Sequence, residues 1–281
     1  MKPEISLTIG VPTFKRPQGL RNTLHSIAKQ SVLATEIIVS DNAGVDELTA
    51  TIIAEFREIV PNLRLAVQPS NLGALGNLIW LSREAKSEYF MWVADDDELV
   101  EPTFLENLFS RIAADSELAL VFPEVEIFFD KERSQWIREP HRRVFSNCKT
   151  NNDYLLAFCG YGGGHCFYGM YDRQKLASLE MEKLMDFDLS YFMEGRFLHK
   201  LFLESKVRFE PSASMIYDGT SATRISEAIL FDSFRKYSYR VHRMYVCSKI
   251  PWRLKFSALV RIARNHYPYL IQLWKGKRRA T

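Results

Sequence analysis

Apolar positions in the first hundred residues come in short β-branched runs, separated by stretches with helical spacing. Residues 5–11 form such a run, broken by the proline-bounded segment 12–17. Residues 19–30 follow with Leu20, Leu24 and Ile27 on one face, which predicts a helix. The run EIIVS at 36–40 predicts a second buried strand, followed by a polar turn at 41–44. A helix over 46–60, a strand over 63–67, a helix over 73–83 opened by Asn71, and a strand over 89–94 continue the alternation. Strands and helices alternating at this spacing imply a parallel sheet covered on both faces. Right-handed crossovers then leave the loops after the strands along one edge, where open α/β sheets hold their ligands. The loops at 13–17, 41–44 and 95–98 are therefore the candidates for chemistry.

The second half is less regular. Residues 102–115 read as a helix, 118–129 as one or two strands, and 131–143 as a loop or hairpin. Residues 160–164 (GYGGG) form the main glycine cluster, 189–203 a helix rich in Phe and Leu, and 206–211 a short strand. From Phe231 onward the chain reads helical, with aromatic and basic residues interleaved. The expected organisation is three parts: 1–115, 116–230 and a basic aromatic helical extension at 231–281.

Composition narrows the class. The 281 residues are 47% hydrophobic and 25% charged, ordinary globular values that exclude disordered, collagen-like and coiled-coil chains. Charge is unevenly placed: 13 of the 37 basic residues follow Asp232, where there is no acid at all, leaving 24 basic against 34 acidic residues before it. Four cysteines (Cys148, Cys159, Cys166, Cys247) show neither CxxC spacing nor disulfide-scaffold density, so a reducing cytoplasm is expected. The N-terminal apolar run is too short for a signal peptide, and no stretch of about 18 apolar residues predicts a spanning helix.

Asp95-Asp96-Asp97 directly follows the buried run MWVA at the ligand edge. Adjacent carboxylates repel and remain ionised only with a compensating cation or solvent. A divalent ion with hard oxygen ligands and substrate phosphates supplies that compensation. A solvated acidic turn ahead of the next helix is the plainer reading. Asp41, in IIVSDNAG, suits a hydrogen bond from a nucleobase or ribose, or simply an Asx turn. The segment Pro12-Thr13-Phe14-Lys15-Arg16-Pro17 offers one aromatic face and two cations.

Taken together, ISLTIGVPTFKRP, EIIVSDNAG, NLGALGN and SEYFMWVADDDELVEPTFLENL resemble glycosyltransferase family 2, the nucleotide-sugar transferases of GT-A fold, over residues 4–110. The resemblance implies a Rossmann-like, mostly parallel α/β sheet with helices on both faces, with a nucleotide-sugar-binding half at 1–115 and an acceptor-binding half carrying the catalytic base at 116–230. It places Pro12, Thr13, Phe14 and Arg16 around the base and diphosphate, with Asp41 reading the base edge. Asn71, Gly73 and Asn77 match a further element; Lys15 and Gly76 depart from the usual Asn and Arg. Asp95 would approach the ribose and sugar, Asp97 would hold Mg²⁺ or Mn²⁺ in a DXD motif, and Asp96 would share either role. The implied reaction is inverting transfer from a nucleotide-sugar, UDP-linked by family frequency.

The catalytic base implied by the family precedes a strand ending in Pro, which KVRFEP resembles. Counting back gives Glu194, with Asp186 and Asp188 as runners-up. Asp218 stands where the family often places a metal ligand. His165, in GGGH, reads as structural, and no histidine spacing indicates zinc. Residues 252–264, taken at 100° per residue, gather Trp252, Phe256, Leu259, Val260, Ile262 and Ala263 on one side and Arg253, Arg261 and Arg264 on the other, with Lys255 out of place. That composition over 252–279 suits an anionic membrane surface; packing on the core and a nucleic-acid patch are the alternatives, and no nucleic-acid partner is expected. The reading is a cytoplasmic enzyme, peripheral on the inner face of the membrane, acting on a saccharide or lipid-linked saccharide acceptor in surface polysaccharide or lipopolysaccharide synthesis. The rivals are a nucleotidyltransferase and a catalytically inactive sugar- or lipid-binding subunit.

Overall fold

The computed structural model describes residues 2–42, 47–128, 136–138, 141–184, 194–218 and 227–280. In chain order the elements are β1 (Glu4–Thr13), α1 (Pro17–Ala28), β2 (Leu33–Asp41), α2 (Glu47–Arg57), β3 (Leu63–Val67), α3 (Gly73–Glu84), β4 (Tyr89–Trp92), β5 (Glu98–Leu99), α4 (Phe104–Ala113), β6 (Leu118–Phe128) and β7 (Trp136–Arg138). They continue as α5 (His141–Phe145), α6 (Asn151–Tyr161), β8 (Met170–Asp172), α7 (Arg173–Ser178), α8 (Met181–Leu184), α9 (Gly195–Glu204), β9 (Lys206–Asp218), α10 (Glu227–Cys247) and α11 (Trp252–Ala280).

Two compact units form. The first comprises residues 1–142, 168–178 and 208–221. Its sheet runs β3-β2-β1-β4-β8-β6-β9-β5 among the described residues, with β7 on β6. β1 pairs in parallel with β2 and β4, and β2 with β3; β8 then runs antiparallel to β4 and β6. The parallel strands are covered on both faces, which is why they read as continuous apolar runs. Leu7, Ile9, Val11, Ile38, Val39, Met91 and Val93 are all fully buried, each burial stabilising by about 1.5–3 kcal/mol. Parallel register brings Thr13 opposite Asp41 and Gly10 opposite Trp92, so the three candidate loops leave the same edge.

The second unit comprises residues 143–167, 179–207 and 222–281. Helix α6 is closed by a Thr150–Asp153 capping box at its start and by Gly162 in the left-handed region at its end. Phe158 stacks on Phe202 from α9 with centroids 4.2 Å apart. The core of this unit is partly polar: the Cys159 thiol lies 3.2 Å from the Tyr245 hydroxyl, which lies 3.1 Å from His199 Nδ1. His266 Nδ1 meets Ser238 Oγ at 2.9 Å.

Helix α11 differs from its sequence reading. Its buried stripe is Ala258, Ile262, His266 and Leu273, while Trp252 and Phe256 are 72% and 64% exposed. A small residue and a hydrogen-bonded histidine face the neighbouring helices, and two of the largest apolar side chains remain outside. Hydrophobicity alone does not reveal this, because His266 is counted as polar until Ser238 satisfies it. Among the described residues no helix is long and apolar enough to cross a membrane.

Candidate active site

The acidic turn after β4 is built into the first unit by side chains some 80 residues earlier. Asp95 is 4% exposed. Its Oδ2 accepts from Thr13 Oγ1 at 2.7 Å and from the Phe14 amide at 3.3 Å; its Oδ1 accepts from Arg16 at 3.4 Å. Arg16 also pairs with Asp96, so one guanidinium bridges two adjacent carboxylates. Burial, reinforced by Asp96, pushes the Asp95 carboxyl up to about 6, against the opposing pull of Thr13, Arg16 and the Phe14 amide.

Helix α1 sits directly beneath this turn. Thr23 Oγ1 donates to the carbonyls of Ala94 (3.1 Å) and Asp97 (2.8 Å), tying the helix to both ends of the triplet. A Cβ on Gly19 would lie 2.3 Å from the Asp95 carbonyl oxygen, so only glycine permits this approach. Lys15 takes a positive φ of 57°, turning the chain between the strand and the helix. Phe14 is 42% exposed at the rim.

On the neighbouring loop, Asp41 is buried at the end of β2, its carbonyl accepting from the Gln68 amide. Asn42 ties this loop to its two neighbours. Its amide N–H donates to the Thr13 carbonyl, its Nδ2 to Asn71 Oδ1 (3.0 Å), and its Oδ1 accepts from the Leu72 amide (2.8 Å). Asn71 Oδ1 also accepts from the Gly73 amide at 2.8 Å, and Gly73 has φ +72°, a conformation that favours glycine. Asn77 is buried in α3, exchanging hydrogen bonds with the Ser40 hydroxyl and carbonyl. Thus Thr13, Phe14, Arg16, Asp95 and Asp96 form one cluster, and Asp41, Asn71, Gly73 and Asn77 flank it around Asn42. Sequence reasoning did not single out Asn42, which looked like the second residue of an Asx turn; its only signal was a polar residue following a buried strand.

Asp97 faces inward. It is fully buried, Oδ2 accepting from the Ala94 amide at 3.3 Å, while Oδ1 has no hydrogen-bond partner among the described residues. Burial first, then the neighbouring carboxylates of Asp96 and Asp95, raise its pKa well above the usual range; the backbone of Asp218 opposes this. Asp218 arrives there because β5 pairs with β9, setting Glu98 opposite Ile216. Among the described residues no group of three or more His, Cys, Asp or Glu side chains forms a ready-made metal cage. The donor set is incomplete but of the right chemistry: carboxylate oxygens, one of them orphaned, as suits an ion whose shell is completed by phosphates.

In the second unit, Glu194 immediately precedes α9, makes no side-chain capping hydrogen bond to it and is half-buried. A Cβ on Gly164 would approach its Oε1 to 2.7 Å, so the glycine cluster makes the room in which the carboxylate sits. Burial raises the Glu194 pKa, opposed by its own backbone N–H and by His165. Asp186 and Asp188 lie outside the described residues.

Comparison with known proteins places this geometry. Residues 8–179 match the family described as Glycosyl transferase family 2. The chain is 21% identical over 258 residues to the uncharacterized glycosyltransferase YwdF of Bacillus subtilis (strain 168), covering 91% of this chain and 90% of the relative. Among solved structures, S. aureus TarS 1-349 in complex with UDP-GlcNAc superposes with a TM-score of 0.67 at 14% identity, over 96% of this chain and 73% of that one. The longer S. aureus TarS chain has a TM-score of 0.65 at 16% identity; this chain covers it with 95% of its own length but spans only 44% of TarS. The mannosyltransferase PcManGT from Pyrobaculum calidifontis, in complex with GDP-Man and Mn²⁺, has a TM-score of 0.61 at 15% identity, over 97% and 73% of the two chains. The fold is GT-A, with a helical C-terminal extension.

Proposed function

The chain belongs to glycosyl transferase family 2, and from that premise we propose that it is an inverting transferase moving a sugar from a UDP-linked donor to a saccharide acceptor. The observation that carries the reading is the convergence of Thr13, Phe14 and Arg16 on Asp95 at the ligand edge of the sheet. Phe14 offers an exposed ring for the base, and Asp41 and the Asn42-centred loop line the nucleoside side. Arg16 neutralises Asp95 and Asp96 in the resting protein and exchanges one of them for donor phosphate. The solved relatives bound to UDP-GlcNAc, or to GDP-Man with Mn²⁺, support a nucleotide-sugar donor here.

Asp97 and Asp95, with Asp218 beside them, would hold Mg²⁺ or Mn²⁺. A bound ion of this kind supplies Lewis-acid neutralisation of a departing diphosphate. The orphaned Asp97 oxygen supports that assignment. Glu194 is proposed as the base that takes the acceptor hydroxyl proton, its raised pKa bringing it nearer the operating pH. The exposed Trp252 and Phe256 beside Arg253 support contact between the C-terminal extension and an anionic membrane. The proposal extends to a lipid-linked acceptor on the cytoplasmic face, in surface polysaccharide or lipopolysaccharide synthesis, which such a contact would support.

The test is a panel of nucleotide-sugars scored by thermal stabilisation and by release of nucleoside diphosphate, with Mn²⁺ and with excess EDTA. UDP-sugars with Mn²⁺ should raise Tm by selective binding to the folded state. Full turnover in EDTA would remove the metal from the mechanism; donor binding without turnover on any acceptor would make this a binding subunit.

A further inference from the structure

The glycine cluster of the sequence, Gly162-Gly163-Gly164, joins the end of α6 to a single 3-10 turn at Gly164–Phe167. Each of its glycines admits a different side chain. A Cβ on Gly162 would lie 2.4 Å from Asn265 Nδ2, one on Gly163 2.2 Å from the Tyr161 ring, and one on Gly164 2.7 Å from Glu194 Oε1. The segment is therefore held by α11 at one end and by the residue ahead of α9 at the other, all within the second unit.

The α11 end of this arrangement is a specific bond. Helix α11 packs along α6, and Asn265 Nδ2 donates to the Tyr161 carbonyl at 3.2 Å. That carbonyl is among the last four of α6, which no amide of the same helix can satisfy. Gly162 is in the left-handed region and its amide donates to the Phe158 carbonyl at 2.7 Å, so the exit of the chain from α6 is fixed. At the other end, the Leu198 amide donates to the Glu194 carbonyl at 2.9 Å and sets the backbone there, while the carboxylate makes no capping bond to α9. The place of the carboxylate depends on the surface it rests against, and Gly164 forms part of that surface.

We infer that Asn265 is a positioning residue for the Glu194 carboxylate, clamping the glycine segment so that Gly164 stays against it. The inference rests on the reading of Glu194 as the base. A general base must stay within hydrogen-bond reach of the proton it takes, and a misplacement of about 1 Å can cost about 100-fold in rate. Three consecutive glycines leave the backbone its widest conformational freedom, so the segment needs a clamp to present one fixed surface. The raised pKa of Glu194 fits a carboxylate kept from water by its seat. Helix α11 thereby serves the chemistry through its inner side, independently of any membrane contact made by the exposed Trp252 and Phe256.

The experiment uses the full chain as wild type, Asn265→Ala, Gly164→Ala and Glu194→Gln. It follows UDP release from the UDP-sugar that stabilises the wild type most, with water in place of the acceptor hydroxyl. Asn265→Ala should lower kcat by about 10-fold and leave KM for the UDP-sugar unchanged. The acid limb of its kcat profile should move to lower pH as the loosened carboxyl gains water, because burial is the largest influence on this group and outweighs the opposing pull of its own amide and of His165. A merely structural residue would not move that limb. Gly164→Ala should reproduce the loss in kcat with α11 untouched. Cys159, buried on α6, should stay unreactive toward a thiol reagent in Asn265→Ala, which checks that the helical core is intact. Wild-type kcat in either alanine variant, an unmoved acid limb, a raised KM or a reactive Cys159 would overturn the inference. Undiminished UDP release by Glu194→Gln, or none from any UDP-sugar by the wild type, would defeat the base reading and the inference with it.

Discussion

Replacing Gly19 by alanine sets two physical effects against each other. Gly19 is the third residue of α1, and in an exposed helix the change Gly→Ala stabilises by about 0.8–1 kcal/mol. In this structure the new methyl would stand 2.3 Å from the Asp95 carbonyl oxygen and 3.6 Å from Asp96 Cα. Ordinary contact requires about 1 Å of retreat, and the obstacle is backbone, which cannot rotate away. Overpacking of this kind costs about 1–3 kcal/mol, so the net expectation is a loss of up to about 2 kcal/mol. The retreat also strains the Thr23 bonds to the Ala94 and Asp97 carbonyls and separates Arg16 from the acids. Donor affinity should therefore fall by 10-fold or more. Gly76→Ala is the matched comparison: in α3 its Cβ would meet only the Leu72 side chain at 3.0 Å, which can turn aside, so the propensity gain should survive. Urea unfolding and calorimetry with UDP on both variants provide the assay. If Gly19→Ala unfolds at the same or higher urea concentration than wild type and binds UDP normally, the close approach of α1 to the acidic turn is wrong.

Other expectations rest on the same geometry. Asn42→Leu should lower donor affinity without loss of fold, because the two side-chain hydrogen bonds that tie the β2 loop to Asn71 and Leu72 vanish together while the backbone bond to Thr13 stays; unchanged UDP binding would deny Asn42 that role. Glu194→Gln should abolish transfer and leave donor binding intact, and near-normal turnover would send the search for the base elsewhere. His266, held down to about 4 chiefly by burial, stays neutral in the folded state while the unfolded chain protonates near 6.5. Stability from this group is therefore complete above 6.5 and declines as pH falls toward 4, by about 3 kcal/mol in all. His199, shifted in the same direction, adds to this, whereas the raised Asp95 acts with opposite sign. Comparing urea midpoints of wild type and His266→Asn at pH 7 and pH 5 isolates the histidine: the variant should lose less on acidification, and identical losses would refute the buried neutral ring.

The parallel half of the sheet was legible because each strand is a contiguous apolar run and each site loop begins where that run stops. Thr13, Asp41 and Asp95 are strand-end residues, and parallel register alone aligns them. The partner that each would find was not legible. The Thr13–Asp95 hydrogen bond joins positions 82 apart, and the inward turn of Asp97 depends on β9 arriving beside β5. The second unit was less legible for a different reason. α6 is apolar nearly all round, β8 is three residues long, and the buried faces of α9, α10 and α11 include His199, Ser238 and His266. A polar core of this kind is invisible to a hydrophobic-periodicity reading, since Cys159, Tyr245 and His199, and Ser238 and His266, hydrogen-bond to one another inside it.

Strand order carries a consequence for how the protein is made. β4 has β1 on one side and β8 on the other, and β8 is only Met170–Asp172; β9, spanning Lys206–Asp218, separates β6 from β5. The ribosome therefore delivers the first four strands long before their neighbours exist, leaving the open flank of β4 to wait through some eighty residues of further synthesis. Unpaired strand flanks invite association with other chains. Fragments cut before residue 170 should precipitate even though they contain the loops proposed to bind the donor, so that part cannot be isolated by simple truncation.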